Sequence, residues 1–430
     1  METLLIRQGT VIDPENGIYG KRDILVAEGK IAAVTERYTG GLPEGTEVLE
    51  AEGKWVMPGF IDLHVHFRDP GQTAKETLHT GALAAAAGGY TSVVCMANTL
   101  PAVDSIEILS DILDRAIREE IHIYQTSAVT VGRAGRELVP MEELAAAGAV
   151  GFTDDGTPIM NAELVRNAMK EAAALGKVIS FHEEDPAYVW QAGVNSGSVS
   201  ESMGLSGADR KAEYSMIERD LQLALETGAT VDIQHVSAAE SVDVIRRYKK
   251  DDVNGLIHAE ATPHHFSLTE DAVTEKGSLA KVNPPLRTEA DRQAVIEGIK
   301  DGTLDLIATD HAPHTAKEKG RDFLKAPSGM IGLETALALG ITNLVKEGHI
   351  SIKRLIELMS VNPARLYGLN AGSLSVGTPA DIVIFDPDMS WTVTEQDIRS
   401  KSKNTPFIGM TLQGKVRYTV SAGHIVERPF

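Results

Sequence analysis

The sequence predicts an α/β protein: a (β/α)₈ barrel accompanied by a small sheet domain made from both chain ends. Three observations support this class. Eight apolar strand-like runs alternate with helix-period segments in the middle of the chain, β-rich runs occupy both ends, and 43% of the 430 residues are hydrophobic. This length and apolar content suffice for one large core and a smaller companion.

The chain ends have the pattern of short strands. Asp23–Ala27 and Lys30–Val34 flank the pair Glu28-Gly29, which is a hairpin signal. Near the other end, Ala380–Asp386 and Val416–Val420 are also rich in β-forming residues. Both ends are therefore predicted to form one small sheet domain.

The middle of the chain alternates between strand-like and helical patterns. In Asp104–Glu120, for example, the apolar residues, Ile117 among them, share one helical face. Eight alternations predict a (β/α)₈ barrel, although periodicity alone favours an open doubly wound sheet almost equally. No Gly-x-Gly-x-x-Gly follows the first strand, which disfavours the dinucleotide-binding form of that alternative. The eight predicted strands are Gly59–Phe67, Tyr90–Ala97, Ile121–Ser127, Val150–Thr153, Val178–Phe181, Val231–Gln234, Leu256–Ala261 and Leu304–Ala308.

Composition excludes several classes of protein. Lys+Arg is 41 against Asp+Glu 61, and the resulting net charge of -20 argues against nucleic acid and anionic membranes as partners. The single cysteine, Cys95, permits neither an intramolecular disulfide nor a thiolate zinc cluster. Met1–Arg7 lacks the pattern of a signal peptide, and no run approaches the roughly 20 apolar residues of a membrane span. We expect a cytoplasmic protein.

The strongest chemical signal is the pair His64 and His66 in the first barrel strand. Side chains two residues apart in a strand point the same way, so these two imidazoles lie together at the strand's carboxyl end. Barrel active sites form at this end, and imidazole is a common ligand for zinc. The alternative is that both are ordinary half-buried histidines.

Further ligand-type residues fall at the ends of later strands. They are Asp154 and Asp155 after the fourth strand, His182 after the fifth, His235 after the sixth and Asp310 after the eighth. All would point into one funnel. Such a funnel is typical of a two-metal site that activates water.

Several segments together resemble the amidohydrolase superfamily and, within it, the bacterial class I dihydroorotases. The similarity extends along nearly the whole chain. It rests on Pro58–Gly71, Phe152–Gly156, Lys281–Arg287 and Ala308–His314. It implies a barrel of the metallo-dependent hydrolase type with a small β-sandwich domain from both chain ends, divided as 1–55 with 373–430 and 56–372.

The resemblance also implies a site with two Zn²⁺ per subunit. The implied ligands are His64, His66 and Asp310 for the first zinc, His182 and His235 for the second, and Asp155 as the bridge. Asp154 would orient ligands from outside the coordination sphere. Many relatives use a carboxylated lysine as the bridge, but no lysine occurs between Lys75 and Lys170. This sets the chain apart from typical hydantoinases and allantoinases.

The same resemblance assigns the substrate-binding residues. Arg68, Asn98 and His314 would bind the substrate's α-carboxylate, because a guanidinium fork matches carboxylate geometry. Asn283 would bond the ring amide, and the backbone of Ser328 and Gly329 would reach the pyrimidine. Asp310 would be the catalytic acid and base.

Two positions depart from the pattern of relatives. Ala97 stands where relatives usually have proline, which could loosen the turn that aims Asn98. Ser328 stands where relatives often have an aromatic residue, so ring stacking would be lost there. The charged segment Thr315–Lys325 has the composition of a mobile loop over the site or, alternatively, of an ordinary surface loop.

The implied activity is the reversible cyclisation of N-carbamoyl-L-aspartate to L-dihydroorotate in pyrimidine biosynthesis. Two alternatives remain. Another cyclic amidohydrolase, such as an allantoinase or hydantoinase, would share the metal site but need a different carboxylate clamp. A non-catalytic partner of aspartate transcarbamoylase would be expected to lack ligands, and all six are present. The resemblance also allows a homodimer and an association with a transcarbamoylase.

Overall fold

A computed structural model describes residues 3–428; residues 1–2 and 429–430 of the predicted small domain lie outside them. Sixteen strands occur in this range. They are β1 (Thr3–Asp13), β2 (Ile18–Ala27), β3 (Lys30–Thr35), β4 (Glu47–Glu50), β5 (Trp55–Pro58), β6 (Phe60–Val65), β7 (Tyr90–Cys95), β8 (His122–Gln125), β9 (Gly151–Thr153), β10 (Val178–Phe181), β11 (Val231–Ile233), β12 (Ile257–Ala261), β13 (Leu306–Ile307), β14 (Ile382–Thr392), β15 (Thr411–Ser421) and β16 (His424–Glu427).

The α-helices lie mainly between the barrel strands. They are α1 (Leu78–Ala87), α2 (Ile106–Ala116), α3 (Met141–Ala146), α4 (Ala162–Leu175), α5 (Ser198–Ser202), α6 (Lys211–Thr227), α7 (Ala239–Lys249), α8 (Pro263–Ser267), α9 (Asp271–Lys276), α10 (Glu289–Asp301), α11 (Ala316–Lys319), α12 (Ala336–Gly340), α13 (Ile352–Ile356) and α14 (Asn362–Tyr367). Short 3₁₀ or π turns occur at Val131–Arg133, Pro186–Tyr188, Gly277–Ala280, Ile341–Val345, Glu357–Val361 and Glu395–Asp397.

Strands β6 to β13 form a closed parallel barrel. They pair in the orders β6-β7-β8 and β9-β10-β11-β12-β13. Parallel bridges from Ser127 to Phe152 and from Val65 to His311 join the two groups at both seams. Each predicted run contains one of these strands, so the barrel is confirmed and the open doubly wound sheet is excluded.

The remaining strands form one eight-stranded sheet from both chain ends. Its order is β16-β15-β14-β5-β1-β2-β3, with β4 also paired to β1. A separate apolar core includes Ile6, Ile24, Ile382 and Val420. Strand β5 belongs to this sheet, although residues 56–58 of it fall on the barrel side of the predicted boundary between residues 55 and 56. The division of the chain into domains stays a prediction.

Local sequence explains the element ends. In the predicted hairpin, Glu28 and Gly29 have φ values of 53° and 72°, as a tight turn between twisted strands requires. Helix α2 begins after Ser105, whose side chain accepts from the backbone N–H of Ile108. Leu109 on this helix is buried, but Ile117, which caps the C-terminus of the helix, is 85% exposed. The prediction that Ile117 shares the packed face was wrong, because at the cap its side chain points into solvent.

Two findings bear on the classes of protein that the composition disfavours. Over residues 3–428 we find no helix with the length and hydropathy needed to cross a membrane. Cys95 is a free, buried thiol on β7.

Candidate metal centre

The first barrel strand presents two imidazoles to the carboxyl end of the barrel. His64 and His66 are both buried, and their ring centroids lie 5.2 Å apart. Asp62 on the same strand accepts from the backbone N–H of His64 and of Thr309, each at 3.1 Å. This carboxylate therefore ties the first strand to the last one at the level of the site.

Asp155 lies between two groups of histidines. Its Oδ1 is 3.6 Å from His64 Nε2, and its Oδ2 is 3.6 Å from His66 Nε2. On the other side, Oδ1 is 3.5 Å from His182 Nδ1 and 3.8 Å from His235 Nε2. Two three-residue groups that could hold a metal ion thus share one carboxylate.

Asp310 follows the last barrel strand and completes the first group. Its Oδ1 lies 2.9 Å from His66 Nε2 and 3.6 Å from His64 Nε2. The sequence-predicted ligands of the first site therefore converge in space, as do those of the second.

The backbone is strained at three site residues. Arg68, His235 and Asp310 have φ values of 59°, 37° and 49°, in the left-handed region that non-glycine residues rarely adopt. Such conformations persist only where the surrounding structure imposes them, and they cluster at functional sites. Here they turn side chains that follow three barrel strands towards one point.

Glu260, on β12, fixes the orientation of His64. Its Oε2 accepts from His64 Nδ1 at 3.0 Å and from the backbone N–H of His235 at 3.1 Å. Because Nδ1 carries the donated proton, the lone pair of His64 is on Nε2, which faces Asp155 and Asp310. A carboxylate behind a histidine in this way is typical of metal sites.

The buried carboxylates of the site favour positive charge on the histidines beside them. Burial would lower the pKa of His64, but the carboxylates of Glu260 and Asp155 raise it well above its ordinary value. Burial would likewise lower the pKa of His182, which Asp155 and Glu184 raise to about 10. Without a metal ion, the carboxylates of the site thus favour the protonated, cationic forms of these two histidines.

The carboxylates show the converse effect. Burial would raise the pKa of Asp155, yet His64, His182 and His235 hold it well below its usual range. Asp310 behaves in the same way: burial opposes ionisation, but the hydrogen bond from His66 keeps its pKa below the ordinary value. Both aspartates are therefore anionic at neutral pH.

The donor set fits a pair of divalent metal ions. The Nε2 atom of His64 is fully buried and has no hydrogen-bond partner. A buried polar atom without a partner is costly, and a ligand-oriented lone pair facing two carboxylates is satisfied by a cation. Imidazole nitrogen and carboxylate oxygen are ligands that zinc prefers.

Beside these residues lies a cavity of about 230 Å³. The cavity is lined by all the residues predicted as catalytic, substrate-binding or metal-ligating except His64, which is fully buried. The lining residues are His66, Arg68, Asn98, Asp155, Gly156, His182, His235, Asn283, Asp310, Ala312, His314, Ser328 and Gly329. The Nε atom of Arg68 is buried without a partner, so the guanidinium has hydrogen-bonding capacity left for an anionic ligand.

The two predicted asparagines are each tied to the site on one side. Asn98 accepts from His66 Nδ1 and donates to Asp155 Oδ2, both at 2.9 Å, which leaves one amide hydrogen for another acceptor. Asn283 donates to Glu184 at 2.9 Å, while its Oδ1 is buried without a partner. Asn283 can therefore accept a hydrogen bond from a ligand N–H.

His314 has its proton on the nitrogen that faces the main chain. Its Nε2 donates to the carbonyl of Ser328 at 2.9 Å. Burial and the nearby Arg68 lower its pKa to about 2, so the ring is neutral and Nδ1 is an acceptor. This arrangement offers an acceptor to a substrate N–H, and the assignment of His314 to the substrate's carboxylate stays a prediction.

Asp154 has a different task from the one expected. Its Oδ1 accepts from the backbone N–H of Val129 at 2.8 Å and of Thr130 at 3.1 Å, and its Oδ2 accepts from the Thr130 hydroxyl. It therefore orders the loop after β8 and contacts no ligand. The segment Thr315–Lys325 also differs from a free loop, since it contains α11 and the buried Lys319.

Three residues around the ligands were not predicted from the sequence. These are Glu260, Glu184 and Arg133, whose guanidinium donates to the carbonyl of Asp155. An acidic residue inside an otherwise apolar strand was a usable signal for Glu260. Nothing in the local sequence marks Arg133, because its contact is with main chain 22 residues away.

Comparisons with known proteins identify the family of this chain. Residues 55–426 match the amidohydrolase family. A dihydroorotase from Clostridioides difficile (strain 630) is 50% identical over 426 residues, which cover 98% of this chain and 99% of that protein. A dihydroorotase from Clostridium acetobutylicum is also 50% identical, over 423 residues with the same coverage.

Solved structures resemble the fold over its full length. L-hydantoinase from Arthrobacter aurescens superposes with a TM-score of 0.88 at 26% identity and covers 100% of this chain and 96% of its own. Dihydropyrimidinase from Brevibacillus agri NCHU1002 gives 0.85 at 24% identity, covering 99% and 95%. The second likeness is one of fold alone.

Proposed function

The chain belongs to the amidohydrolase family and within it to the dihydroorotases, and from this membership we propose how its residues carry out the reaction. As a hydrolase of cyclic amides it interconverts N-carbamoyl-L-aspartate and L-dihydroorotate. The observation that supports the residue assignments most strongly is the sharing of Asp155 by two histidine groups on the floor of one cavity.

Two zinc ions are the proposed cofactor. His64, His66 and Asp310 would hold one, His182 and His235 the other, with Asp155 between them. When bound, zinc lowers the pKa of water and polarises a carbonyl oxygen. Glu260 keeps the lone pair of His64 directed at the first of these sites.

The substrate would be oriented by groups with unused hydrogen-bonding capacity. Arg68 binds the α-carboxylate, assisted by the free amide hydrogen of Asn98. Asn283 Oδ1 and His314 Nδ1 are buried acceptors without partners, which suit the two ring N–H groups. Backbone groups of Ser328 and Gly329 close the ring's far side.

Asp310 is the proposed proton carrier. In the ring-opening direction it accepts a proton from the attacking water and delivers it to the ring nitrogen as the C–N bond breaks. In biosynthesis it takes the proton from the carbamoyl nitrogen, which forms the C–N bond to the side-chain carboxyl carbon, and water leaves. Its ionised state at neutral pH suits the role of acceptor.

The deciding experiment measures metal content and dihydroorotate hydrolysis on the same preparation, before and after chelation. We expect about two zinc ions per chain, loss of activity with the chelator, and recovery when zinc returns. Metal without dihydroorotate turnover would direct the assay to allantoin and hydantoins and would refute the proposed substrate. Absence of both metal and activity would favour the non-catalytic alternative.

Association and location remain proposals. The resemblance of the sequence supports a homodimer and an association with an aspartate transcarbamoylase, and the sequence predicts a cytoplasmic location. Sedimentation of the chain alone and with a transcarbamoylase would test the first two, because a monomer in both experiments contradicts them.

A further inference from the structure

One wall of the cavity is an irregular segment, residues 326–329, whose main chain is held by side chains. Ser328 and Gly329 of this segment face the cavity. Each of its four consecutive carbonyls accepts a side-chain hydrogen bond: Ala326 from Lys281 Nζ (2.8 Å), Pro327 from Lys319 Nζ (3.0 Å), Ser328 from His314 Nε2 (2.9 Å) and Gly329 from Lys319 Nζ (2.9 Å). Gly329 also accepts from Asn404 Nδ2 at 3.2 Å, so the shape of this wall depends on four side chains outside the segment.

Lys319 supplies two of these bonds and is unusually placed for a lysine. It ends helix α11, and only 4% of it is exposed. Over residues 3–428, no carboxylate lies within salt-bridge distance of its ammonium. Burying an ammonium without a counter-charge is costly, so the main-chain carbonyls must replace its water. Consistent with this, burial and the nearby Lys281 lower the pKa of Lys319 to about 7.

The same ammonium also connects two walls of the cavity. It lies 3.4 Å from the carbonyl of Lys281, whose carbonyl in turn accepts from the backbone N–H of Gly329 at 2.9 Å. Lys281 is two residues before Asn283, which lines the cavity. Lys319 is thus the point where the 281–283 and 327–329 main chains meet.

The wall has little room to move by itself. Gly329 has a φ of 129°, and a Cβ at this position would lie 2.8 Å from Ala312 Cβ and 3.1 Å from His314 Nε2. A shift of the main chain by a few tenths of an ångström would therefore alter its contacts with both neighbours. Interior packing of this kind transmits small displacements to the residues that touch it.

We propose that Lys319 is a positioning residue that sets substrate affinity by holding the 327–329 wall against the cavity. This inference rests on the proposed function and adds to it a residue that does not itself line the cavity. Removal of the ammonium leaves the Pro327 carbonyl without a side-chain donor and the Gly329 carbonyl with the amide of Asn404 alone, at 3.2 Å, so the wall relaxes and the ring is bound less tightly. The proposed metal ligands, Asp310 among them, lie on other segments, so turnover of bound substrate is retained.

The test compares Lys319→Met with Lys317→Met, an exposed lysine of the same helix. For Lys319→Met we expect KM for dihydroorotate to rise about tenfold or more with kcat within about twofold, since hydrogen bonds from a charged donor are lost. Lys317→Met should match the unmodified chain. Lys319→Arg, which keeps a charged donor, should recover much of the affinity. The KM of Lys319→Gln should lie between those of Lys319→Arg and Lys319→Met.

A second readout does not depend on activity. Trypsin sites at Arg321 and Lys325 are exposed next to the wall, and cleavage there should accelerate in Lys319→Met but not in Lys317→Met. An unchanged KM, or a loss of kcat together with metal, overturns the positioning role. If the unmodified chain fails to turn over dihydroorotate, the proposed function is wrong. In that case the cleavage assay still tests the positioning role, which an unchanged cleavage rate in Lys319→Met would contradict.

Discussion

The two ends of the barrel use the same residue types in different ways. At the amino end, His258 Nδ1 lies 2.8 Å from Asp305, and Lys249 lies 2.9 Å from the same carboxylate. At the carboxyl end, His66 Nε2 lies 2.9 Å from Asp310. The distances are alike, but the first pair is 23% and 18% exposed, whereas the second is 5% and 10% exposed.

The difference lies in what remains unsatisfied. The Asp305 carboxylate has Lys249 and His258 as partners and is in contact with water, so its hydrogen-bonding capacity is satisfied. At the carboxyl end, four imidazoles converge on two aspartates, and the buried Nε2 of His64 still has no partner. A histidine–aspartate pair is therefore structural when its groups are all satisfied, and indicates a metal site when donor capacity is left over.

Replacing an aspartate by asparagine at each end of the barrel should give the largest difference in turnover and metal content. Asp155→Asn removes the charge shared by the two histidine groups, and we expect dihydroorotate turnover to fall about 10³-fold or more, since bound metal contributes several kcal/mol to the barrier. Metal content should fall in parallel. Steady-state hydrolysis and elemental analysis of the purified variant measure the two effects.

The matched control is Asp305→Asn. Because His258 and Lys249 help to lower the pKa of Asp305 to about 2 against the effect of burial, this variant should lose about 1–2 kcal/mol of stability at neutral pH. Its turnover and metal content should be normal. Equal losses of activity in both variants would show that the two ends do not differ as described.

Arg68 provides the next contrast, within the carboxyl end itself. Arg68→Ala should raise KM about 10- to 100-fold with little change in metal content, because a charged hydrogen bond to the substrate is lost. Arg118→Ala, at an exposed arginine, is the control and should leave KM unchanged. Normal binding with lost turnover in Arg68→Ala would assign this residue to the chemical step instead.

Glu260 tests the contribution of a group that touches no substrate. Glu260→Gln keeps the size of the side chain but weakens the acceptor for His64 Nδ1, and we expect zinc affinity to fall about 10- to 100-fold. Competition with a chromophoric chelator measures this affinity. Unchanged affinity would mean that His64 needs no carboxylate to direct Nε2.

Much of this comparison could be predicted from the sequence. The strand-like runs placed all eight barrel strands, and ligand-type residues directly after those runs identified the groups that meet at the carboxyl end. This worked because burial on both faces makes parallel strands apolar, and the polar residues that interrupt them stand out.

The remainder depends on contacts between distant residues. Glu260 lies 196 residues from His64, and the amide of Asn98 binds His66 and Asp155 from another strand. Which nitrogen of His314 carries the proton follows from the carbonyl of Ser328, another segment altogether. Sequence patterns report local periodicity, so partners of this kind become visible only when the strands are placed side by side.

The smallest expected effect concerns a second pair at the amino end. His122 Nε2 lies 3.3 Å from Asp381, and the hydrogen bond raises the pKa of His122. A raised pKa in the folded chain gives stability that is present below the unfolded value and is lost as pH rises through the folded value. The side chain is 34% exposed, so solvent screening limits this stability to about 0.5 kcal/mol.

His122→Gln retains a donor for Asp381 but cannot titrate. Unfolding by denaturant should therefore show the unmodified chain to be more stable than the variant near pH 5.5, with the difference shrinking as pH is raised above 7. Zinc binding at the carboxyl end should be the same in both chains. A difference that grows with pH would contradict the pairing, whereas loss of zinc in the variant would show that the two ends of the barrel are coupled.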